Sequence, residues 1–116
     1  MPTESRLVFA IDFDHTIHDN NNILPNFKLG QPMAGAKEAL TKMRLAGHTI
    51  LIHTCRANDG AKAVRVVEDW MKYFQIPFDA VWQAHNGAKP VADYYIDDKG
   101  LRFTTWQEVM VQTDGT

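Results

Sequence analysis

Asp12 and Asp14 stand one residue apart at the end of the apolar run "LVFAIDF" (7–13), and Thr16 follows two places on. A strand places alternate side chains on one face, so both carboxylates can look toward one spot past its carboxyl end. Two carboxylates aimed at one spot repel, and ionising both calls for a metal ion, a lysine or a shared proton between them. A second acidic pair, Asp97 and Asp98, ends "DYYIDD" in the same manner. Four carboxylates without a histidine or cysteine cluster suit a hard divalent cation, Mg2+ rather than Zn2+, with water and substrate phosphate completing the coordination. The candidate ligands are therefore Asp12, Asp14, Asp97 and Asp98. A phosphate dianion is repelled by bare aspartates but drawn to Mg2+ and a lysine, and Lys89 lies in the stretch entering "DYYIDD". Thr54, which follows "HTILIH", adds a hydroxyl.

These groups meet only if three strand ends share one edge of a sheet. Residues 7–13 read as a strand buried on both faces of a parallel sheet, since Val8, Phe9, Ala10 and Ile11 are apolar without alternation. The polar stretch 18–31, with Pro25 and Gly30, predicts a loop or small hairpin rather than a folded lid. Pro32 is placed to open a first helix, with Ala36, Leu40 and Met43 on one face and Gly47 as its stop. "HTILIH" (48–53) reads as the second strand and "TCRANDG" as a loop, with Asp59 capping the next helix. That helix carries an apolar stripe of Ala63, Val66, Val67, Trp70 and Phe74, a core face. "DAVWQ" is a short third strand, "AHNGAKP" a loop, "DYYIDD" the last strand, and Thr105 to Glu108 has the capping-box form of a final helix. Strands alternating with helices imply right-handed crossovers and a parallel sheet, whose ligands bind beyond the carboxyl ends of the strands.

The bulk composition fits that plan. A chain of 116 residues, 45% hydrophobic, is expected to be one domain over residues 1–116. A net charge of -2 gives no footprint for non-specific nucleic-acid binding, and no apolar run approaches a membrane span. The single cysteine, Cys55, cannot form an internal disulfide, and "MPTESRLVFA" lacks the form of a secretion signal, so a reduced, cytoplasmic protein is expected. Cys55 reads as a small buried thiol, because His53 should point to the opposite face of its strand. His18, His48 and His85 show no ligand spacing and receive no role.

"DFDHT", the threonine of "IHTCR", the lysine of "GAKP" and the acidic pair of "YYIDDK" resemble, in order, the four motifs of the haloacid dehalogenase-like superfamily of aspartate-nucleophile phosphohydrolases. The resemblance covers the chain from about Leu7 to Asp98, and the ordered set is far more specific than any one motif. It implies a three-layer α/β/α Rossmann-like fold with a central parallel sheet. It also implies that Asp12 attacks phosphorus to form an aspartyl-phosphate, and that Asp14 protonates the leaving oxygen and then activates water. Neighbouring carboxylates should push the pKa of Asp14 upward for that work. Thr54 and Lys89 would hold the phosphate oxygens, Asp97 is the first choice for a direct Mg2+ ligand, and Asp98 for a second or water-mediated one. Asp14 argues for a phosphatase over a dehalogenase, since a departing halide needs no acid.

The short spans between the motifs resemble a member without a cap domain, and the "KPVADYYIDD" spacing is similar to small bacterial and phage members and to polynucleotide 3'-phosphatases. The implied substrate is a phosphate monoester, either a small molecule or the exposed end of a larger one, with nucleic acid entering only as substrate. His15 stands where many relatives have glycine and either touches substrate or turns outward. Arg56 is either a clamp for a second anionic group or a surface arginine. Two alternatives stay open: a phosphoryl-accepting module and a non-catalytic Mg2+-binding relative. Receiver modules carry their acceptor on a middle strand, where this chain has Thr54. Substrate identity and oligomeric state are not specified by these residues.

Overall fold

In the computed structural model, which describes residues 6–23, 29–83, 89–100 and 104–113, the first apolar run becomes β1 (Val8–Ile11). A hairpin follows, β2 (His18–Ile23) paired antiparallel with β3 (Gly30–Pro32). The chain continues through α1 (Ala36–Leu45), β4 (Thr49–His53), a 3-10 turn (Cys55–Asp59) and α2 (Ala61–Tyr73). It ends with β5 (Ala80–Trp82), β6 (Tyr94–Ile96) and α3 (Trp106–Gln112). Residues 84–88, the heart of the expected "AHNGAKP" loop, and residues 24–28 within the hairpin stretch lie outside the described residues.

β1, β4, β5 and β6 form one sheet in the order β5-β4-β1-β6, with every neighbouring pair parallel. Helices flank this sheet, giving the expected α/β architecture, and no cap domain accompanies it among the described residues. Among those residues, no helix is long and apolar enough to cross a membrane. The apolar residues of β1 and β4 are the reason the sheet is central: Ile11, Ile50 and Ile52 are all but inaccessible.

Three local expectations are corrected. Pro32 does not open α1; it ends β3 opposite His18, and α1 begins after Gly35, whose φ of 85° needs the left-handed freedom of glycine. Asp59 does not cap α2: it closes the 3-10 turn, and Gly60 precedes the helix. The buried face of α2 is Val64, Val67, Trp70 and Met71, while Val66 is 47% exposed, so the stripe is rotated from the expected one. Trp70 sets that rotation. Its ring meets Phe13 edge-on at 5.0 Å, and its indole N–H donates to the Gly30 carbonyl at 2.9 Å, which ties α2 to β3. Burying such side chains contributes roughly 1.5–3 kcal/mol each. The final helix keeps its expected start, with the Thr105 hydroxyl accepting from the Glu108 N–H at 3.2 Å.

Candidate functional site

Strand order decides where the polar ends meet. The chain runs from β1 outward to β4 and β5, then returns to β6 on the other side of β1, so β1 lies at the reversal. Crossovers leave on opposite sides there and open a crevice at the carboxyl ends. The Asp12 N–H donates to the Ile96 carbonyl at 2.9 Å, extending the β1–β6 ladder one residue and bringing Asp12 beside the acidic pair. A cleft of about 450 Å³ results, lined by Asp12, Asp14, His15, Thr54, Asp97 and Asp98. Six of the eight expected site residues therefore share it.

Lys89 and Arg56 do not line that cleft. Lys89 is exposed, with its ammonium 4.5 Å from the centre of the Tyr95 ring, and Tyr95 is the cleft residue. Lys99, which the sequence reading passed over, does line the cleft. Its signal was simply a cation next to "IDD". Cys55 is exposed rather than buried, and His53, the last residue of β4, shares the cleft with it.

Asp12 and Asp14 are pushed in opposite directions. Burial raises the pKa of Asp12 above the ordinary carboxylate value, and the charges of Asp14, Asp98 and Asp97 add to it, against one bond from the Phe13 N–H. Burial acts the same way on Asp14, but hydrogen bonds from Arg56, Asn20 and His18, with the Arg56 charge, outweigh it and hold its pKa below the ordinary value. The expected upward push on Asp14 is thus corrected: cations and donors surround it, and its carboxylate neighbours do not dominate. Arg56 donates through Nε at 2.8 and 3.0 Å and through Nη2 at 2.8 Å, so the residue considered as an anion clamp is committed to Asp14.

His18 and Asn20, given no role from sequence, complete that shell. Asn20 donates to Asp14 Oδ1 at 2.9 Å, and the His18 ring meets the same oxygen at 3.1 Å. Both come from β2, so this strand supports the Asp14 side of the cleft. The only advance signal was spacing, four and six residues after Asp14.

Asp97 Oδ1 accepts from the N–H groups of Lys99, at 2.8 Å, and Gly100, which folds the loop after β6. A Cβ at Gly100 would lie 2.9 Å from that oxygen. Among the described residues no three His, Cys, Asp or Glu side chains form a group able to hold a metal as they lie. In donor chemistry, however, Asp12, Asp97 and Asp98 fit a hard cation: all are oxygen donors, and their mutual repulsion at Asp12 is what a positive ion relieves. Thr54 is 5% exposed, and its Oγ1 accepts from the Arg56 N–H at 3.2 Å, which turns its own proton elsewhere. His15 has a φ of 65°, a left-handed conformation that glycine adopts more readily than a residue with a side chain.

No family model matches the chain, and no curated protein does. Its fold is similar to a solved structure described as the conserved protein coded by locus from Bacteroides thetaiotaomicron. The two share 21% identity with a TM-score of 0.63, over 97% of this chain and 94% of that one, a likeness of fold.

Proposed function

We propose that this chain hydrolyses phosphate monoesters through an aspartyl-phosphate on Asp12, as a small capless phosphohydrolase of the haloacid dehalogenase-like kind. The observation that carries this reading is the meeting of Asp12, Thr54 and the Asp97–Asp98 pair at the ends of three adjacent parallel strands, with Asp12 at the point where the strand order reverses. Asp12, Asp97 and Asp98 would hold Mg2+, while the Asp14 side chain is committed to Arg56. When bound, the ion supplies the positive charge that lets a phosphate dianion approach these carboxylates.

Asp12 attacks phosphorus in line with the ester oxygen, forming an Asp12–phosphate bond as the P–O ester bond breaks. The leaving oxygen takes a proton from Asp14. Water, deprotonated by Asp14, then attacks phosphorus and releases inorganic phosphate with Asp12 restored. Thr54 and Lys99 stabilise the phosphate oxygens from within the cleft, with Lys89 approaching over Tyr95. The Arg56 pair keeps Asp14 ready as a base; delivering a proton requires the guanidinium to release it. The open cleft suits either a small ester or the exposed end of a larger molecule. A cytoplasmic setting goes with this reading, since it keeps the exposed Cys55 thiol beside the cleft reduced.

The same Arg56 pair favours a second reading. If Asp14 stays ionised throughout, the phosphoryl group remains on Asp12 and the chain is a phosphoryl-accepting module. Phosphate release from sugar phosphates, nucleotides and a 3'-phosphorylated oligonucleotide, with and without Mg2+, separates the two. Turnover lost in Asp12→Asn upholds the phosphatase. A stable phosphorylated chain without turnover supports the module, and neither result leaves no phosphoryl chemistry to claim.

A further inference from the structure

His18 is wholly buried, yet both of its ring nitrogens are used. Nε2 lies 2.6 Å from the Gly30 amide nitrogen, whose N–H can only donate, so Nε2 carries the lone pair. Nδ1 therefore carries the proton and donates it to Asp14 Oδ1 at 3.1 Å. The ring has little room to turn: it lies flat on Phe13, 4.9 Å between centres with a 2° tilt, and meets Trp70 edge-on at 5.5 Å. Turning it over would leave a buried amide without an acceptor, a substantial penalty. Gly30 is itself held by the Trp70 indole on its carbonyl. A chain of donors thus runs from Trp70 in α2 through Gly30 and His18 to Asp14 at the cleft.

We propose that His18 is a positioning residue for Asp14: locked as one neutral tautomer, it sets the direction in which the Asp14 carboxylate faces the cleft. The proposal rests on the phosphatase reading for its catalytic consequence. Among the described residues, three side chains bond Asp14, and of these His18 alone is wholly buried; the Arg56 side chain is 36% exposed and Asn20 is only half-buried. His18 is the fixed reference, and it passes no proton itself.

Nitrogen-15 spectra of histidine-labelled protein test the tautomer directly. The expected result is a protonated Nδ1 and a bare Nε2 for His18, with the Nδ1 proton slow to exchange in wild type and fast in Asp14→Ala. A bare Nδ1 or a doubly protonated ring overturns the proposal. Steady-state kinetics test the consequence through two amide variants. The amide nitrogen of His18→Asn reaches the place of Nδ1 and keeps the donor to Asp14, whereas His18→Gln reaches the place of Nε2 and loses it. His18→Asn should keep kcat within about tenfold of wild type and His18→Gln should lose about a hundredfold, with the same KM in both, while His18→Asn, which leaves the Gly30 amide without its acceptor, should melt lower. Equal losses, or a loss confined to KM, overturn the proposal. If wild type releases no phosphate at all, the phosphatase reading falls by itself, and the histidine spectra still decide whether His18 presents Nδ1–H to Asp14.

Discussion

Arg56 grips Asp14 with two nitrogens, Nε and Nη2, at 2.8–3.0 Å, joining the turn after β4 to the end of β1. Because this shell lowers the folded-state pKa of Asp14, the pair contributes stability that is present above the ordinary value of 3.8 and lost as pH falls through the folded value. Both side chains are partly exposed, so solvent screening keeps the contribution small, about 1 kcal/mol. Arg56→Ala should therefore be about that much less stable than wild type at pH 7, and the gap should close as pH falls below 3.8. Urea denaturation across that range measures it. A gap independent of pH would show that lost packing on Phe13, not the ion pair, is responsible.

Asp12 carries the opposite sign. Its folded-state pKa is raised, so the folded chain holds more protons than the unfolded one, and stability falls as pH rises from 3.8 through the folded value. Without divalent cations, Asp12→Asn should raise Tm at pH 7 by a few degrees, about what a fraction of a kcal/mol gives a domain of this size. The advantage should vanish below pH 3.8. Thermal melts in chelator at several pH values decide it, and a variant less stable than wild type at pH 7 would contradict the cost that burial and the neighbouring carboxylates place on ionised Asp12.

Much of this was legible beforehand because it depends on period and order alone. The unbroken apolar run before Asp12 and the Ile-rich second strand made a parallel sheet the economical solution, and parallel strands put their polar ends on one edge. What escaped was set by tertiary contact. Whether Arg56 faces a ligand or Asp14 depends on the 3-10 turn after Thr54, which local sequence does not announce. The rotation of α2 follows from the bond between Trp70 and Gly30, 40 residues apart in the chain. His18 showed no metal-ligand spacing because its work is to hold a carboxylate.

Gly100 separates loop geometry from stability. An added methyl group would press on Asp97 Oδ1 at 2.9 Å, the mobile end of a short side chain, so the carboxylate swings aside at a cost of under about 1 kcal/mol. The bonds from Lys99 and Gly100 N–H would suffer with it. Gly100→Ala should thus melt close to wild type yet bind Mg2+ about tenfold more weakly by calorimetric titration, if Asp97 belongs to the ion's shell. Unchanged affinity would assign binding to Asp12 and Asp98 without it.

His15 joins both questions in one residue. Its φ of 65° costs a side-chain-bearing residue about 1 kcal/mol, less for histidine than for a β-branched residue. Glycine adopts this conformation readily but loses more chain entropy on folding, so His15→Gly should gain only about 0.5 kcal/mol, while His15→Val should lose more than 1 kcal/mol. The backbone itself is anchored, with the His15 N–H donating to Asn20 Oδ1 at 3.0 Å, so either variant should keep the turn. The ring is exposed and lines the cleft. His15→Gly should accordingly raise KM for a phosphate ester about threefold with kcat unchanged, the mark of a contact made equally in ground and transition states. Chemical denaturation and initial-rate kinetics on the two variants read both effects. A stabilised His15→Gly with unaltered KM would mean that the ring makes no contact with substrate and that only the strained turn is relieved.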